Sequence, residues 1–397
     1  ETLDDILSDL LDESPPPNAT GGTAGPARAS AVPRRPDGPR PATSHSAAAD
    51  LDYFVDMLGG QEAAAAARPS AILQPTDPSA VGRASVGPRV AASTRGPPVG
   101  DSFLREEHTV AGHKGAVNAV ECFGNYMFTG GADRTILVWD LSTMQVVQKL
   151  EGHEGAVSSL VVDDERKRLF SGGWDNIILV WDLSASPIRE LRTVRGPTSY
   201  VGTLRLQRGW LLAGEWNGTV HVYDAKTLKR LDSLSTEHRG QLLDVLVHPA
   251  SSSIITACQD KRILKWSADS FNFKDTLGEI GGSQHTDWVT SLALLSETRL
   301  LSGSRDRTLK MWDMAARHPV DIATITLENP VTRLVRRGRY IIAADSKGKL
   351  HVYHIEDDGS LKAVEVITAH RQWITSLLFV GDYLFTGSRD GTAKIWT

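Results

Sequence analysis

At 397 residues, with 43 Lys and Arg against 48 Asp and Glu, the chain carries a formal net charge of −5. That balance excludes nucleic-acid binding through bulk charge and an acidic solvating role. Its two cysteines, Cys122 and Cys258, exclude a disulfide framework and a cysteine-built zinc cluster and fit a reducing compartment. No apolar run of about 18 residues offers a membrane span. The chain opens on Glu1, with Asp4 and Asp5 where a signal peptide needs positive charge. Any upstream segment lies outside this reading, and a cytoplasmic location is the expectation.

Residues 1–100 hold 14 of the 19 prolines, no lysine, and 12 acidic against 8 basic residues. Such a composition buries too little apolar surface to offset ordering entropy, so a disordered arm is expected. Two stretches depart from it. Over residues 2–13, Leu3, Ile6, Leu7, Leu10 and Leu11 recur at the spacing of one helical face, with acids on the other. Over residues 50–58, Leu51, Phe54 and Leu58 repeat the same acidic and bulky-apolar mixture and stop at Gly59-Gly60. Each is too short for a stable free helix and suits folding into a partner's groove. The competing reading is a weakly helical patch without a partner.

From residue 104 a repeat takes over. Aromatic residues end β-branched runs at Trp139, Trp181, Tyr223, Trp266, Trp312, Tyr353 and Trp396, spaced by 42, 42, 43, 46, 41 and 43 residues. Five units carry an upstream histidine, and Trp-Asp closes three of them, at residues 139, 181 and 312. Within a unit, an alternating run such as 116–120 precedes one ending in Phe128-Thr129-Gly130, then a polar turn at residues 132–135, then Ile136 to Asp140.

This pattern resembles the WD-repeat family over residues 104–397, and the resemblance implies an all-β, seven-bladed propeller of four-stranded antiparallel blades over 101–397. It further implies that a histidine, a strand Ser or Thr, the turn aspartate and the closing tryptophan form a buried hydrogen-bonded tetrad. The sets here are His113, Thr129, Asp133, Trp139; His153, Ser171, Asp175, Trp181; His238, Thr256, Asp260, Trp266; His285, Ser302, Asp306, Trp312; and His370, Thr386, Asp390, Trp396. Units three and six depart from the pattern. They place Asn217 and Lys347 at the aspartate position, Ala213 and Ala343 for Ser/Thr, close on Tyr223 and Tyr353, and show no evident histidine, so weaker polar locking is expected there. The chain ends one residue after Trp396, so residues near 103–110 are expected to supply the outer strand of blade seven.

Histidines and aspartates recurring once per blade cannot converge on one ion, so neither a metal nor a cofactor is expected. Nor is there a phosphate-binding Gly-x-x-x-x-Gly-Lys or a Gly-x-Ser-x-Gly elbow, and an enzyme is not expected. In the resembled family, the position before the turn aspartate and the position three after the histidine face the mouth of the central channel. A surface of Trp174, Trp216, Trp288 and Trp373 with Tyr200, Arg305 and Arg389 is therefore expected, made of residue types that dominate interface hot spots. The alternative is that some of these tryptophans pack between blades. Trp210 stands at a strand entry and reads as structural.

The leading function is a protein-binding scaffold, with partner peptides or domains on that face and a second partner on the arm. Substrate recognition in a ubiquitin ligase, with Arg305 and Arg389 reading a phosphorylated or acidic segment, is an alternative. Against it, no F-box-like segment precedes the repeats, and Met314-Ala315 follow Trp312-Asp313 where one ligase-adaptor signature needs arginine. A part in an RNA-processing assembly is a further alternative, with direct nucleic-acid binding disfavoured by the charge balance of the repeats. A structural subunit of a cytoskeletal, ciliary or trafficking assembly is not separable from the leading reading. No small-molecule substrate is implied.

Overall fold

The computed structural model of the chain describes residues 102–234 and 237–397. Both arm motifs, with Leu3, Ile6, Leu7, Leu10, Leu11, Leu51, Phe54 and Leu58, lie outside the described residues. Among the described residues the strands form seven four-stranded antiparallel sheets. These are blades one (117–150), two (157–194), three (201–234), four (242–276), five (289–326), six (331–368) and seven (374–396), the last completed from the front of the chain. The first strands of successive blades pack on one another all the way round, blade seven's on blade one's included. The arrangement is a closed ring, a seven-bladed β-propeller.

The alternation of apolar residues along each second and third strand feeds two neighbouring blades, so the buried side chains fall into seven clusters, one per seam. Phe128, Ile136 and Val138 of blade one meet Val157, Leu160 and Trp181 of blade two, for example. Close approach at these seams requires a small residue on the second strand. A Cβ on Gly130 would stand 2.7 Å from Val157, one on Gly172 2.5 Å from Val201, and one on Gly303 2.6 Å from Val331. Polar stitches run between first strands as well. Asp244 of blade four accepts from Arg205 of blade three at 3.0 Å and from Ser291 and the Leu292 N–H of blade five at 3.1 and 2.9 Å.

The ring closes on Glu106–Ala111, which pairs antiparallel with Thr392–Trp396 in blade seven. Arg105 and Thr397 exchange two backbone hydrogen bonds of 2.9 Å, and Lys394 meets Glu106 at 2.9 Å. Val110 enters the seam between blades seven and one, and Leu104 the seam between six and seven.

Because strands alternate in direction, the turns from second to third strand and the loops from outer strand to the next blade share one end of the ring, called here the top face. The third position of each such turn has a left-handed backbone: Arg134 (φ 68°), Asn176 (62°), Gly218 (88°), Lys261 (75°), Arg307 (68°), Gly348 (78°) and Gly391 (80°). A non-glycine residue holds that conformation at about 1 kcal/mol over glycine.

Candidate interaction face

In five blades the structure links the tetrad residues into one directional chain. The tryptophan N–H donates to the Ser or Thr oxygen at 2.8 to 3.1 Å, as in Trp139 to Thr129 and Trp396 to Thr386. That hydroxyl meets histidine Nε2 at 2.7 to 2.8 Å. Histidine Nδ1 then meets the turn aspartate, at 3.0 Å for His113 and Asp133 and 2.8 Å for His285 and Asp306. Since an ionised carboxylate can only accept, the network assigns an imidazole proton to Nδ1, where it donates to the aspartate. The carboxylate also accepts the N–H of the residue after the histidine, as with Lys114 at 2.9 Å and Arg371 at 3.0 Å.

Burial opposes charge on Asp133, Asp175, Asp260, Asp306 and Asp390. The imidazoles, neighbouring hydroxyls and backbone N–H groups outweigh it and hold all five carboxyls below the usual range, Asp133, Asp260, Asp306 and Asp390 well below it.

Blade six keeps a full polar lock, contrary to the sequence expectation, while blade three keeps a weaker one in which His221 Nε2 and Tyr223 Oη are buried without a hydrogen bond among the described residues; both build it from different residues. Glu215 and Asp345, both fully buried, stand where the other blades have Gly131, Gly173, Cys258, Ser304 and Ser388. A Cβ on Gly131 would lie 2.3 Å from the His113 imidazole, and one on Gly173 2.6 Å from His153. The five blades with a loop imidazole carry only Gly, Cys or Ser at this position, whereas in these two blades, which lack that imidazole, a larger carboxylate side chain stands there. Asp345 accepts from His351 on the third strand, from Asn329 and from the Lys347 and Lys349 N–H groups, at 2.8 to 3.0 Å. Burial again opposes its charge, and these donors hold its carboxyl below the usual range. Glu215 accepts from Thr198 and the Ser199 N–H, with His221 Nε2 at 2.7 Å, an ion-pair distance off the line of a hydrogen bond. The shared His-Val-Tyr runs at residues 221–223 and 351–353 are the sequence signal for it.

One donor set has the composition of a metal site: His238, Cys258 and Asp260 lie within 4.8 Å of one another. Its members are already engaged. The imidazole is held by Asp260 and Thr256, Arg262 lies 2.9 Å from Asp260, and burial pushes the Cys258 thiol far up. A cation there would have to strip a tetrad and compete with a guanidinium.

At the channel mouth the backbone repeats one bond in all seven blades. The residue after the second strand donates its N–H to the carbonyl of the residue before the first strand, as in Trp216 to Tyr200 (3.0 Å), Arg305 to Trp288 (2.9 Å) and Arg389 to Trp373 (2.9 Å). Around the ring these paired positions are Ala116 and Ala132, Ala156 and Trp174, Tyr200 and Trp216, Gln241 and Gln259, Trp288 and Arg305, Pro330 and Ser346, and Trp373 and Arg389. Trp174, Tyr200 and Trp216 form one cluster, with ring centroids 5.0, 5.2 and 6.2 Å apart. Arg305 lies over the Trp288 ring at 4.2 Å and Arg389 over Trp373 at 4.5 Å.

Trp288 corrects the expected surface. It is only 7% exposed, covered by the Arg305 guanidinium, so blade five presents the cation and not the indole. Trp210 opens the second strand of blade three and packs on Phe271 at 5.5 Å.

The ring, its seam geometry and its tetrads define a class, the β-propeller with polar-locked blades. The chain is a WD-repeat β-propeller: residues 104–140, 144–182, 278–313 and 361–397 match the family model described as WD domain, G-beta repeat. It is similar to WD repeat-containing protein 37 of Xenopus laevis, 27% identical over 261 residues, covering 54% of this chain and 51% of that protein. It is similar also to cell division control protein 4 of Saccharomyces cerevisiae, 33% identical over 164 residues, covering 37% of this chain and 21% of that one. The chain thus spans about half or less of the length of these relatives. The crystal structure of the WD40 beta propeller domain of Doa1 matches with a TM-score of 0.63 over 75% of this chain and 97% of that chain, at 24% identity, a likeness of fold. No helix among the described residues is long and apolar enough to cross a membrane.

The shifted carboxyls give an expected stability profile with two limbs. The five turn aspartates and Asp345 have depressed carboxyls, so their contribution is present above the ordinary carboxylate range near ~4 and is lost as pH falls through their folded values. Glu121, on the first strand of blade one, is opposite: desolvation pushes it up to about 8, against the Cys122 N–H and the Arg205 charge. Its contribution is full below its ordinary value and drains as pH rises toward 8. Melting temperature should fall steadily below about pH 4, and Glu121→Gln should melt higher than the parent at pH 8 but not at pH 4. Equal melting curves at pH 8 would remove the desolvated Glu121 from the account.

Proposed function

We propose that the chain is a non-catalytic protein-interaction platform that takes partner peptides or domains on the top face of its propeller. The observation that carries this is the placement of aromatic and arginine side chains at the channel mouth, where the fold needs only a backbone hydrogen bond. Blades one, four and six make that same bond with Ala, Gln, Pro and Ser. Tyr200 is 37% exposed, and Trp174, Trp216 and Trp373 are half-buried. Large amphipathic side chains held in contact with one another lose little entropy on binding, which is why they anchor interfaces. The WD-repeat relatives support a scaffold in general terms. The acidic motifs at 2–13 and 50–58 are the second proposed docking element of this platform.

The test is affinity capture with the full chain and a variant carrying Tyr200→Ala, Arg305→Ala, Trp373→Ala and Arg389→Ala, Trp288 being left intact because it is buried. Proteins captured by the parent and lost from an equally folded variant are the expected result. An unchanged set would exclude the top face as the working surface.

A further inference from the structure

The top face is divided by blade. Blades two and three contribute the Trp174, Tyr200 and Trp216 cluster, whereas blades four to seven contribute Lys261, Arg305, Arg307, Lys347, Arg371 and Arg389 from their turns and loops. Lys261, Arg307, Lys347 and Arg371 are exposed, while Arg305 and Arg389 lie over tryptophan rings. The acids of the same arc do not meet an incoming ligand in the same way. Asp260, Asp306 and Asp390 have their oxygens engaged by histidine and backbone N–H, the exposed Glu328 is paired with Lys349 at 3.0 Å, Asp287 accepts the Trp288 N–H at 2.8 Å, and Glu237 and Glu279 stand in the loops leading into blades four and five.

A separate observation points to use of these cations. At the left-handed turn position, blades three, six and seven have glycine and blade two Asn176, yet blades four, five and one keep the cations Lys261, Arg307 and Arg134 there. All three side chains are exposed, so packing does not compensate the conformational cost, and strain retained at such positions points to function.

We infer that the face binds an acidic peptide segment of a partner at two places at once, carboxylates along the cationic arc of blades four to seven and a bulky apolar side chain on the aromatic cluster of blades two and three. This rests on the platform reading above and names its partner class. A peptide is favoured over single-stranded nucleic acid by two features. The Trp216 ring meets both Trp174 and Tyr200 edge-on, at 63° and 74°, forming a compact seat and not a series of open stacking platforms. At the opposite end of the ring, Arg337 and Arg339, which would extend a phosphate track, are paired with Asp382 and Asp357.

Fluorescence polarisation of the full chain tests this with four labelled probes: a Glu-rich peptide of twelve residues with a central Leu-Leu pair, the same peptide with Glu changed to Gln, the same with Leu changed to Ser, and oligouridylate. The Glu/Leu probe is expected to bind, weakening about tenfold between roughly 50 and 200 mM salt. Lys347→Glu with Arg371→Glu should cut its affinity tenfold or more, and Trp174→Ala with Trp216→Ala should weaken the Leu probe but not the Ser probe. Equal binding of the Gln probe, indifference to the charge reversals, or tighter binding of oligouridylate would each overturn the inference. If affinity capture shows the top face at work while the Glu/Leu probe fails to bind, the platform stands and the acidic partner class falls.

Discussion

Deleting residues 102–111 from the full chain is expected to lower the melting temperature by more than 10 °C and to make the protein associate. The deletion removes the cross-strand bonds on the outer edge of Thr392–Trp396, the Lys394 pair with Glu106, and two side chains buried to 6% exposure, Leu104 and Val110. Each buried aliphatic side chain contributes about 1.5–3 kcal/mol, and each net hydrogen bond about 1 kcal/mol. The loss is comparable with the ~5–15 kcal/mol by which whole domains are stable. It also leaves the third strand of blade seven as an open edge, the kind that pairs with other chains. Removing Thr397 alone costs its two backbone bonds with Arg105 and should shift melting by only a few degrees. Calorimetry with size-exclusion chromatography reads both effects. A deletion variant that stays monomeric and melts within about 3 °C of the parent would mean that the ring does not depend on this strand.

The second large effect is expected at blade six. Asp345→Ala leaves His351, the Asn329 amide and two backbone N–H groups facing a fully buried site with no acceptor. Breaking a buried, hydrogen-bonded pair from one side costs about 3–5 kcal/mol, because the stranded groups keep their desolvation penalty. Changing both partners, Asp345→Ala with His351→Leu, should recover part of that loss, since the double variant strands fewer groups. Denaturant titration of the single and double variants measures this. A single variant within 1 kcal/mol of the parent would show that blade six is held by packing alone.

These two sites also show what could be read without coordinates. The closing strand was legible because repeats of known period ended one residue after Trp396, leaving one blade short of a strand. The five tetrads were legible because histidine, Ser or Thr, aspartate and tryptophan recur at constant offsets. The polar locks of blades three and six were not. There the carboxylate moves from the turn to the end of the second strand and the histidine from the loop to the third strand, so the same cluster is assembled from positions that offsets do not connect. Only the register pairing Val201 with Glu215 and Val331 with Asp345 shows these acids to stand at the strand position that is kept small beside the loop imidazole in the other blades. The Trp288 surface was misread for a related reason: its offset from His285 placed it at the channel mouth, and the neighbouring turn then laid Arg305 across it.

By itself, then, the order of residues determined the repeat, the number of blades, the closing seam and the hydrogen-bonding sets that recur in register, because each depends on spacing along one chain. The tertiary structure decided which side chains at the channel mouth meet solvent, which acids have their oxygens engaged, and how two blades without the usual histidine hold a buried carboxylate. Those depend on which side chains of a blade and its leading loop meet in the same few ångströms of space, a meeting that no spacing along the chain records.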